Sequence, residues 1–391
     1  MEKVYKLKIW ILPEEIGNGE ISVKQLKTMM VFGTRPDAIK MMPLVYACRK
    51  RPEIDLSVCV TAQHRELLDD VLFRFHVQPQ YDLNIMRLRQ TLTEITTRVL
   101  TGLASVFEQA KPDVVLVHGD TTTGLAAGLS AFYHQIPVGH VEAGLRTGNP
   151  YSPFPEEMNR TILGDLCSVH FAPTEQNRQN LLDRHVSGKI YVTGNTAIDV
   201  LRYTVSETYV FSQPVLNTID YRQKVILLTS HRRENLDGGL SEIFSAVHML
   251  LEAFSDISFL FPVHPNPVVR RQAQTAFQGN KRVCMLEPLD VFDMHNLMNR
   301  CYFVMTDSGG IQEEAPALHK PVLVLRRETE RIEAVLAGTA VLAGVERNEI
   351  FTCASRLLRE PLAYQKMSLA KNPFGDGYAS ERIVDALVKI V

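Results

Sequence analysis

Two α/β domains in tandem, each a doubly wound parallel sheet, are what this sequence predicts. Three observations carry the prediction. Short β-rich runs alternate with longer stretches whose apolar residues recur at helical spacing, the pattern of a parallel sheet covered by helices. That rhythm breaks once, over the polar and mixed segment Asp199–Gln223 with Pro214 inside it, and then resumes. Finally, 391 residues with 45% hydrophobic and 22% charged side chains can fill more than one core.

The elements follow in order. Residues 1–25 have no clear period and carry the turn-like Gly17-Asn18-Gly19, so they read as an extension outside the fold. From Leu26 the first domain, residues 26–197, shows β-rich runs at Met29–Phe32, Leu56–Val60, Val114–Val117, Val138–Val141 and Tyr191–Val192. Helical spacing fills the intervals, as in Ile39–Cys48, Leu92–Phe107 and Leu125–Phe132. The second domain, residues 198–378, repeats the rhythm with Val225–Thr229, Ile257–Val263, Val283–Leu286, Phe303–Thr306 and Val322–Leu325. Residues 379–391 close the chain with an amphipathic helix, its apolar stripe made by Ile383, Val384, Ala386, Leu387 and Ile390. Two Rossmann-like sheets in tandem should leave a cleft, and ligands in such sheets bind outside the strands' C-terminal ends.

Charge and composition exclude several classes. With 42 Lys+Arg against 44 Asp+Glu, the net charge of −2 leaves no footprint for a polyanion, so no nucleic-acid partner is expected. No apolar run approaches the roughly 18 residues that cross a bilayer, so no membrane partner is expected. The Lys6–Leu12 stretch is short and lacks a small-residue cleavage site, which argues against a signal peptide. The six cysteines are scattered with no CxxC, and read as buried free thiols of a reducing compartment. The expected location is the cytoplasm.

The strand ends hold the chemistry. The first strand runs into Gly33-Thr34-Arg35-Pro36-Asp37, with a helix starting at Pro36 or just after. Gly permits a tight turn, Pro suits the first helical turn, and a helix N-terminus favours anions, to which Arg35 and Lys40 add positive charge. The same residues also fit an ordinary βα turn, and the missing GxGxxG disfavours a dinucleotide. What reads as the third strand ends in Val117-His118-Gly119-Asp120, and the fourth in His140-Val141-Glu142. Period two sends His118 and Asp120 to one side, and likewise His140 and Glu142. A loop then delivers Glu156 before the helix Met158–Leu166. Clustered carboxylates repel, so one of them should keep its proton near neutrality and supply an acid beside a base. Two plainer readings compete: Asp120 as the cap of the helix that starts in Thr121–Thr123, and His-x-Asp with His-x-Glu as metal ligands. No metal is expected, because the basic residues of the second half suit those carboxylates better.

In the second domain the first strand ends in Ser230-His231-Arg232-Arg233-Glu234-Asn235, which invites a bound anion. Farther on, Thr306-Asp307-Ser308-Gly309-Gly310 opens a helix whose N–H groups and hydroxyl suit phosphate oxygens. Glu314, one turn on, is placed for ribose hydroxyls. The competing reading is a turn capped by Asp307 or Ser308.

Taken in order, the blocks VFGTRPDAIKMMPLV, VTAQHRELLD, YDLNIM, KPDVVLVHGDTTT, IPVGHVEAGLRTG, YSPFPEEMNR, VTGNTAID, HRRENL and TDSGGIQEEAP resemble the bacterial non-hydrolysing UDP-N-acetylglucosamine 2-epimerases. The resemblance runs from about Leu26 to the C-terminus. It implies the glycosyltransferase-B architecture, a homodimer, and a C-terminal helix packed back on the first domain. It also implies reversible inversion at C2 of UDP-GlcNAc to UDP-ManNAc for cell-surface polysaccharide synthesis. UDP would leave in an anti elimination to give 2-acetamidoglucal and then return, with no metal or redox cofactor. By resemblance Asp120, Glu142, Glu156 and His231 are the catalytic positions, with the carboxylates' individual roles open. Arg35, Lys40 and His231 would stabilise the departing diphosphate. Ser308, Gly309 and Gly310 match the phosphate turn, Glu314 the ribose contact and Met294 the position near the uracil. Bacillus-like members bind a second UDP-GlcNAc as activator. Gln63, His64, Arg89, Glu156, Arg232 and His264 match that site, with Glu66 standing where those members carry Gln.

Departures from the family pattern are Met294 for Phe, Pro265 within His264-Pro265-Asn266, Ser230 for a smaller residue, and Arg326–Ile332, whose lost Pro should loosen a turn. Other readings are a hydrolysing relative releasing UDP and ManNAc, a glycosyltransferase, and a non-catalytic UDP-sugar sensor. The phosphate turn argues against the first, the lack of any acceptor-groove signal against the second, and three clustered carboxylates against the third.

Overall fold

The computed structural model describes residues 25–232, 235 and 238–390. The extension expected over residues 1–25 lies, but for Gln25, outside the described residues. The chain divides into two compact units: one runs to Thr196 and takes back the chain from Tyr378 onward, the other is Ala197–Gly377.

The first unit alternates strand and helix. Its elements are β1 (Leu26–Phe32), α1 (Arg35–Arg49), β2 (Ile54–Val60), α2 (Arg65–Arg74), β3 (Tyr81–Asp82), α3 (Leu92–Ala110), β4 (Val114–His118) and α4 (Thr122–Tyr133). They continue with β5 (Val138–Val141), α5 (Glu156–Leu166), β6 (Val169–Ala172), α6 (Glu175–Asp183) and β7 (Lys189–Val192), after which α7 (Thr196–Thr204) lies, from Ala197 on, in the second unit. The strands pair in the order β3-β2-β1-β4-β5-β6-β7, all parallel. Central strands of a parallel sheet are covered on both faces, which is why β4 is buried along its whole length. Met29 and Val31 of β1 join Val115 and Val117 of β4 against Ile95, Val99 and Leu103 of α3.

The second unit holds β8 (Lys224–Thr229), α8 (Gly239–Ala253), β9 (Ile257–Pro262), α9 (Pro267–Phe277), β10 (Val283–Leu286), α10 (Val291–Arg300) and β11 (Phe303–Thr306). Then come α11 (Gly309–Ala317), β12 (Val322–Val324), α12 (Ile332–Leu336), β13 (Ala340–Leu342), α13 (Arg347–Arg359) and α14 (Pro361–Ser368). Its sheet runs β10-β9-β8-β11-β12-β13, again parallel. Alternate residues of β8 feed opposite cores: Ile226 and Leu228 pack with Phe259, Phe261 and Val247, whereas Val225 and Leu227 pack with Val304, Leu297 and Met298. The last helix, α15 (Ala379–Ile390), packs on α1 of the first unit. Arg51 Nη1 donates to Asp385 Oδ1 at 2.5 Å, and Arg382 Nη1 to the Thr193 carbonyl at 3.0 Å.

Both sheets reverse their winding beside their first strand, between β1 and β4 and between β8 and β11. A crevice at the carboxyl ends of two such strands is the usual ligand position of a doubly wound sheet.

The element boundaries correct several expectations. β3, β6 and β13 were not anticipated, so the strands ending near His118 and Val141 are the fourth and fifth. β3 has two residues and β13 three, too short for any period to register, and His170 interrupts the apolar run of β6. α1 begins at Arg35 with Thr34 as its N-cap, α4 begins at Thr122, and α5 begins at Glu156, which is therefore helical rather than part of the loop.

Candidate active site

At the end of β1, Gly33 is dictated by its neighbours. A Cβ there would lie 1.9 Å from Thr61 Oγ1 and 2.8 Å from Thr123 Oγ1, two hydroxyls hydrogen-bonded to each other at 3.0 Å. Thr34 caps α1 by accepting from the Asp37 N–H, and Arg35 is half-exposed at the first helical position. Lys40, one turn further, donates from Nζ to Glu142 Oε2 at 2.5 Å. Lys40, expected to meet an anion of the substrate, is here the counter-ion of a site carboxylate.

The carboxylates come from two turns and a helix start. Gly119 (φ 59°) and Glu142 (φ 62°) both take the left-handed backbone conformation immediately after their strands. That ends the period-two alternation expected there. His118 does face the site, with Nε2 3.7 Å from Glu142 Oε2, but His140 turns away, its Nε2 2.6 Å from the Gly119 carbonyl. Glu142 Oε2 also accepts from Asn195 Nδ2 at 2.9 Å. Asp120 Oδ2 accepts from Arg160 Nε at 2.8 Å and Nη2 at 2.6 Å. The cap of α4 is Thr121, whose Oγ1 accepts from the Gly124 N–H at 3.1 Å, so Asp120 is not that cap. Glu156 opens α5 with a buried Oε2 that has no hydrogen-bond partner.

One of these three was expected to keep its proton near neutrality; Asp120 pairs with Arg160, which also holds Glu157, and Glu142 pairs with Lys40. The carboxyl that gains proton affinity is Asp37, which is buried and receives a hydrogen bond from Thr121 Oγ1 at 3.2 Å. Burial pushes it up to about 7, against hydrogen bonds from Thr34 and Thr121 and with the negative charge of Asp120 adding to the rise. Nothing local marks Asp37, since an acid in a first helical turn is also an ordinary partner of the helix dipole. Burial also lowers His118 to about 4, partly opposed by Glu142, and His140 to about 3, partly opposed by its bond to the Gly119 carbonyl.

In the second unit the organising group is Asp307, at the end of β11. Its Oδ2 accepts from Ser230 Oγ (2.9 Å), His231 N–H (2.8 Å), Arg232 N–H (2.9 Å) and Asn235 Nδ2 (2.9 Å). Asp307 therefore holds the turn after β8 and caps nothing on α11. Ser308 occupies the N-cap position without a side-chain cap bond, so neither capping reading survives. The His231 ring stacks on His264 with centroids 5.2 Å apart and 10° between planes. Burial lowers the His231 pKa, opposed by Asp307, with His264 and Arg232 adding to the fall. A Cβ on Gly309 would come 2.9 Å from the Arg331 guanidinium, and one on Gly310 3.7 Å from Glu314 Oε1. Glu314 Oε2 is 3.5 Å from His295 Nε2, whose ring is tied through Nδ1 to Thr204 Oγ1 at 2.7 Å. Met294 packs half-buried against one of the two cores.

The 326–332 segment, expected to be loosened, is tied down. Arg326 Nη1 donates to Glu330 Oε2 (2.8 Å), Arg331 Nε to Glu313 Oε1 (2.8 Å) and Thr329 Oγ1 to Gln312 Oε1 (2.7 Å). Burial would raise Glu330, but the Arg326 hydrogen bond and the charges of Arg326 and Arg331 hold it down at about 2.

The six activator candidates are divided between the units. Gln63, His64, Arg89 and Glu156 belong to the first and Arg232 and His264 to the second. Gln63 Oε1 accepts from Thr123 Oγ1 at 2.8 Å, His64 stands at the N-cap of α2, and Arg89 is exposed. Arg232 has a buried Nε without a partner, and His264 Nδ1 accepts from the Asn266 N–H at 3.1 Å. Among the described residues no His, Cys, Asp and Glu group is arranged for a metal ion, and no helix is long and apolar enough to cross a membrane.

Two doubly wound units, one presenting carboxylates at its switch point and the other a Ser-Gly-Gly helix start beside a histidine, define a protein of the glycosyltransferase-B architectural class. A family model described as UDP-N-acetylglucosamine 2-epimerase matches residues 46–388. The UDP-N-acetylglucosamine 2-epimerase of Bacillus subtilis is 56% identical over 94% of this chain and 96% of its own, and that of Escherichia coli K12 is 52% identical over 93% and 98%. The Neisseria meningitidis UDP-GlcNAc 2-epimerase, solved bound to UDP-GlcNAc, superposes with a TM-score of 0.85 at 47% identity, covering 93% of this chain and all of that one. The chain belongs to the UDP-N-acetylglucosamine 2-epimerase family.

Proposed function

We propose that this protein interconverts UDP-GlcNAc and UDP-ManNAc by reversible elimination and re-addition of UDP, without net hydrolysis. The observation that carries this reading is the convergence of Asp120 and Glu142 at adjacent strand ends, each paired with a cation, on a chain so close to named epimerases.

The chemistry explains what the residues are for. A C2–H bond beside an acetal carbon is weakly acidic. Its proton must therefore leave with the anomeric C1–O bond, whose electron pair departs with UDP as the C1–C2 double bond forms. The reverse step returns the UDP oxygen to C1 and a proton to C2 from the opposite face. One face needs a base and the other an acid, and Asp120, Glu142 and Glu156 supply these roles. Arg35, His231 and the Ser308–Gly310 turn stabilise the charge gathering on the diphosphate, and Glu314 takes the ribose.

We further assign the enzyme to the cytoplasm, as a homodimer that feeds cell-surface polysaccharide synthesis, with a second UDP-GlcNAc as activator. The deciding experiment is NMR of the protein with UDP-GlcNAc in D₂O. Deuterium entering C2 while UDP-ManNAc accumulates supports the proposal. Free ManNAc with UDP moves the chain to hydrolysis, and binding without exchange leaves a sensor.

A further inference from the structure

We propose that Asp307 is the positioning residue for His231, fixing the imidazole with Nδ1 as the proton-bearing nitrogen and Nε2 as the nitrogen left free for the substrate. The inference rests on the reading that His231 serves the reaction, and deepens it.

The two oxygens of Asp307 do different things. Oδ2 is saturated by Ser230 Oγ, the His231 and Arg232 N–H groups and Asn235 Nδ2, all between 2.8 and 2.9 Å. Oδ1 is buried, has no hydrogen-bond partner, and lies 3.3 Å from His231 Nδ1. A carboxylate can only accept, so the nitrogen that faces it carries the hydrogen. An ionised carboxylate with no exposed surface is tolerated only when its lone pairs are matched. Four donors meet that condition on Oδ2, and a hydrogen on His231 Nδ1, 3.3 Å away, would meet it on Oδ1. Thr229 and Thr306, whose hydroxyls lie 2.6 Å apart, join the ends of β8 and β11, so the loop and the carboxylate share one frame. The stacked ring of His264 covers one imidazole face, and Arg232 is the other charged neighbour of His231. Asp307 also directly precedes the Ser308-Gly309-Gly310 turn, so one side chain places both the histidine and the anion site.

Two measurements on the full chain test this. In wild-type protein with ¹⁵N-labelled histidine, with His231 assigned by its loss in His231→Gln, the neutral ring should show a protonated Nδ1 and a bare Nε2. The opposite tautomer overturns the proposal, and this readout requires no variant of Asp307 to fold. Asp307→Asn presents an N–H to Nδ1 and selects the wrong tautomer. With UDP affinity within about tenfold of wild type, kcat should fall roughly 100-fold or more while KM changes little. The acidic limb of kcat against pH should move down, because the charge that supports the imidazolium is gone. If His231→Gln is inactive while Asp307→Asn keeps wild-type kcat and pH limb, the positioning role is wrong and the proposed function stands. If His231→Gln retains full turnover, the assignment of His231 to the reaction fails first.

Discussion

The two switch points use the same topology for opposite purposes. In each unit the first strand ends beside the strand where the winding reverses, a threonine pair links hydroxyls nearby, and an Asp follows. In the first unit that Asp is Asp120, a quarter exposed at its side chain and held by Arg160. In the second it is Asp307, fully buried and held by backbone and amide donors. A carboxylate with a side-chain cation and open surface can exchange its partner for substrate. One saturated by backbone N–H groups cannot, and serves as a fixed point. Topology decides where the acids stand, and the donor set decides what they do.

The largest expected effect breaks the first half of that comparison. Asp120→Asn keeps the shape and removes the charge. Turnover of UDP-GlcNAc should fall by roughly a thousandfold or more, while UDP still binds in calorimetry. Activity within tenfold of wild type would show that Asp120 takes no part in the chemistry.

Next in size is the first unit's response to pH, where Asp37 and the buried histidines act with opposite signs. Asp37 is raised from 3.8 to about 7, so it disfavours the fold increasingly as pH climbs between those values, while the unfolded chain ionises alone. Asp37→Asn should therefore gain stability over wild type across that window, by about 4 kcal/mol at most above pH 7, read from denaturant melts at several pH values. An advantage that does not grow with pH would refute a proton on Asp37. His140 is lowered from 6.5 to about 3, so it favours the fold when neutral, and that stability is lost as pH falls below 6.5. By about pH 5 the loss is roughly 2 kcal/mol. His140→Gln should reduce the difference between melts at neutral and acid pH, leaving the part due to His118, and an unchanged slope would remove His140 as a cause.

A third contrast sets glycine against glycine. A methyl at Gly33 meets a hydroxyl pair between two buried threonines, whereas one at Gly309 meets only the tip of the Arg331 side chain. Gly33→Ala should cost about 1–3 kcal/mol of stability, partly restored by Thr61→Ala, and Gly309→Ala clearly less. Equal losses in thermal melts would mean that the second switch point is as tightly packed as the first.

These contrasts mark what was legible in the sequence. Central strands such as Val114–His118 and Lys224–Thr229 were readable because burial on both faces makes them continuous apolar runs. The site turns were readable because Gly, Pro and acids cluster at strand ends. The pairing was not, since Lys40 and Glu142 lie 102 residues apart and His231 and Asp307 76, and nothing local encodes either contact. Asn195 and Arg160 stood in plain view within recognisable blocks, yet their roles depend on which carboxylate the fold brings to them. Asp37 and Asp307 both stand where local sequence describes a helix-terminal acid, and only their burial sets them apart.

The smallest predicted effect sharpens the view of Asp307 as a fixed point. Ser230→Ala removes one of the four donors on Oδ2 and leaves the His231 and Arg232 N–H groups and Asn235 Nδ2 in place. A charge-assisted hydrogen bond lost from a shared acceptor should cost about 1 kcal/mol, less than the loss of a sole partner, because the oxygen stays solvated by the rest. Turnover should change by less than threefold or so, within the same energy scale. A drop in kcat approaching that of Asp307→Asn would mean that the serine hydroxyl, and not the carboxylate as a whole, sets the imidazole. The second switch point would then be a single-contact device resembling the first.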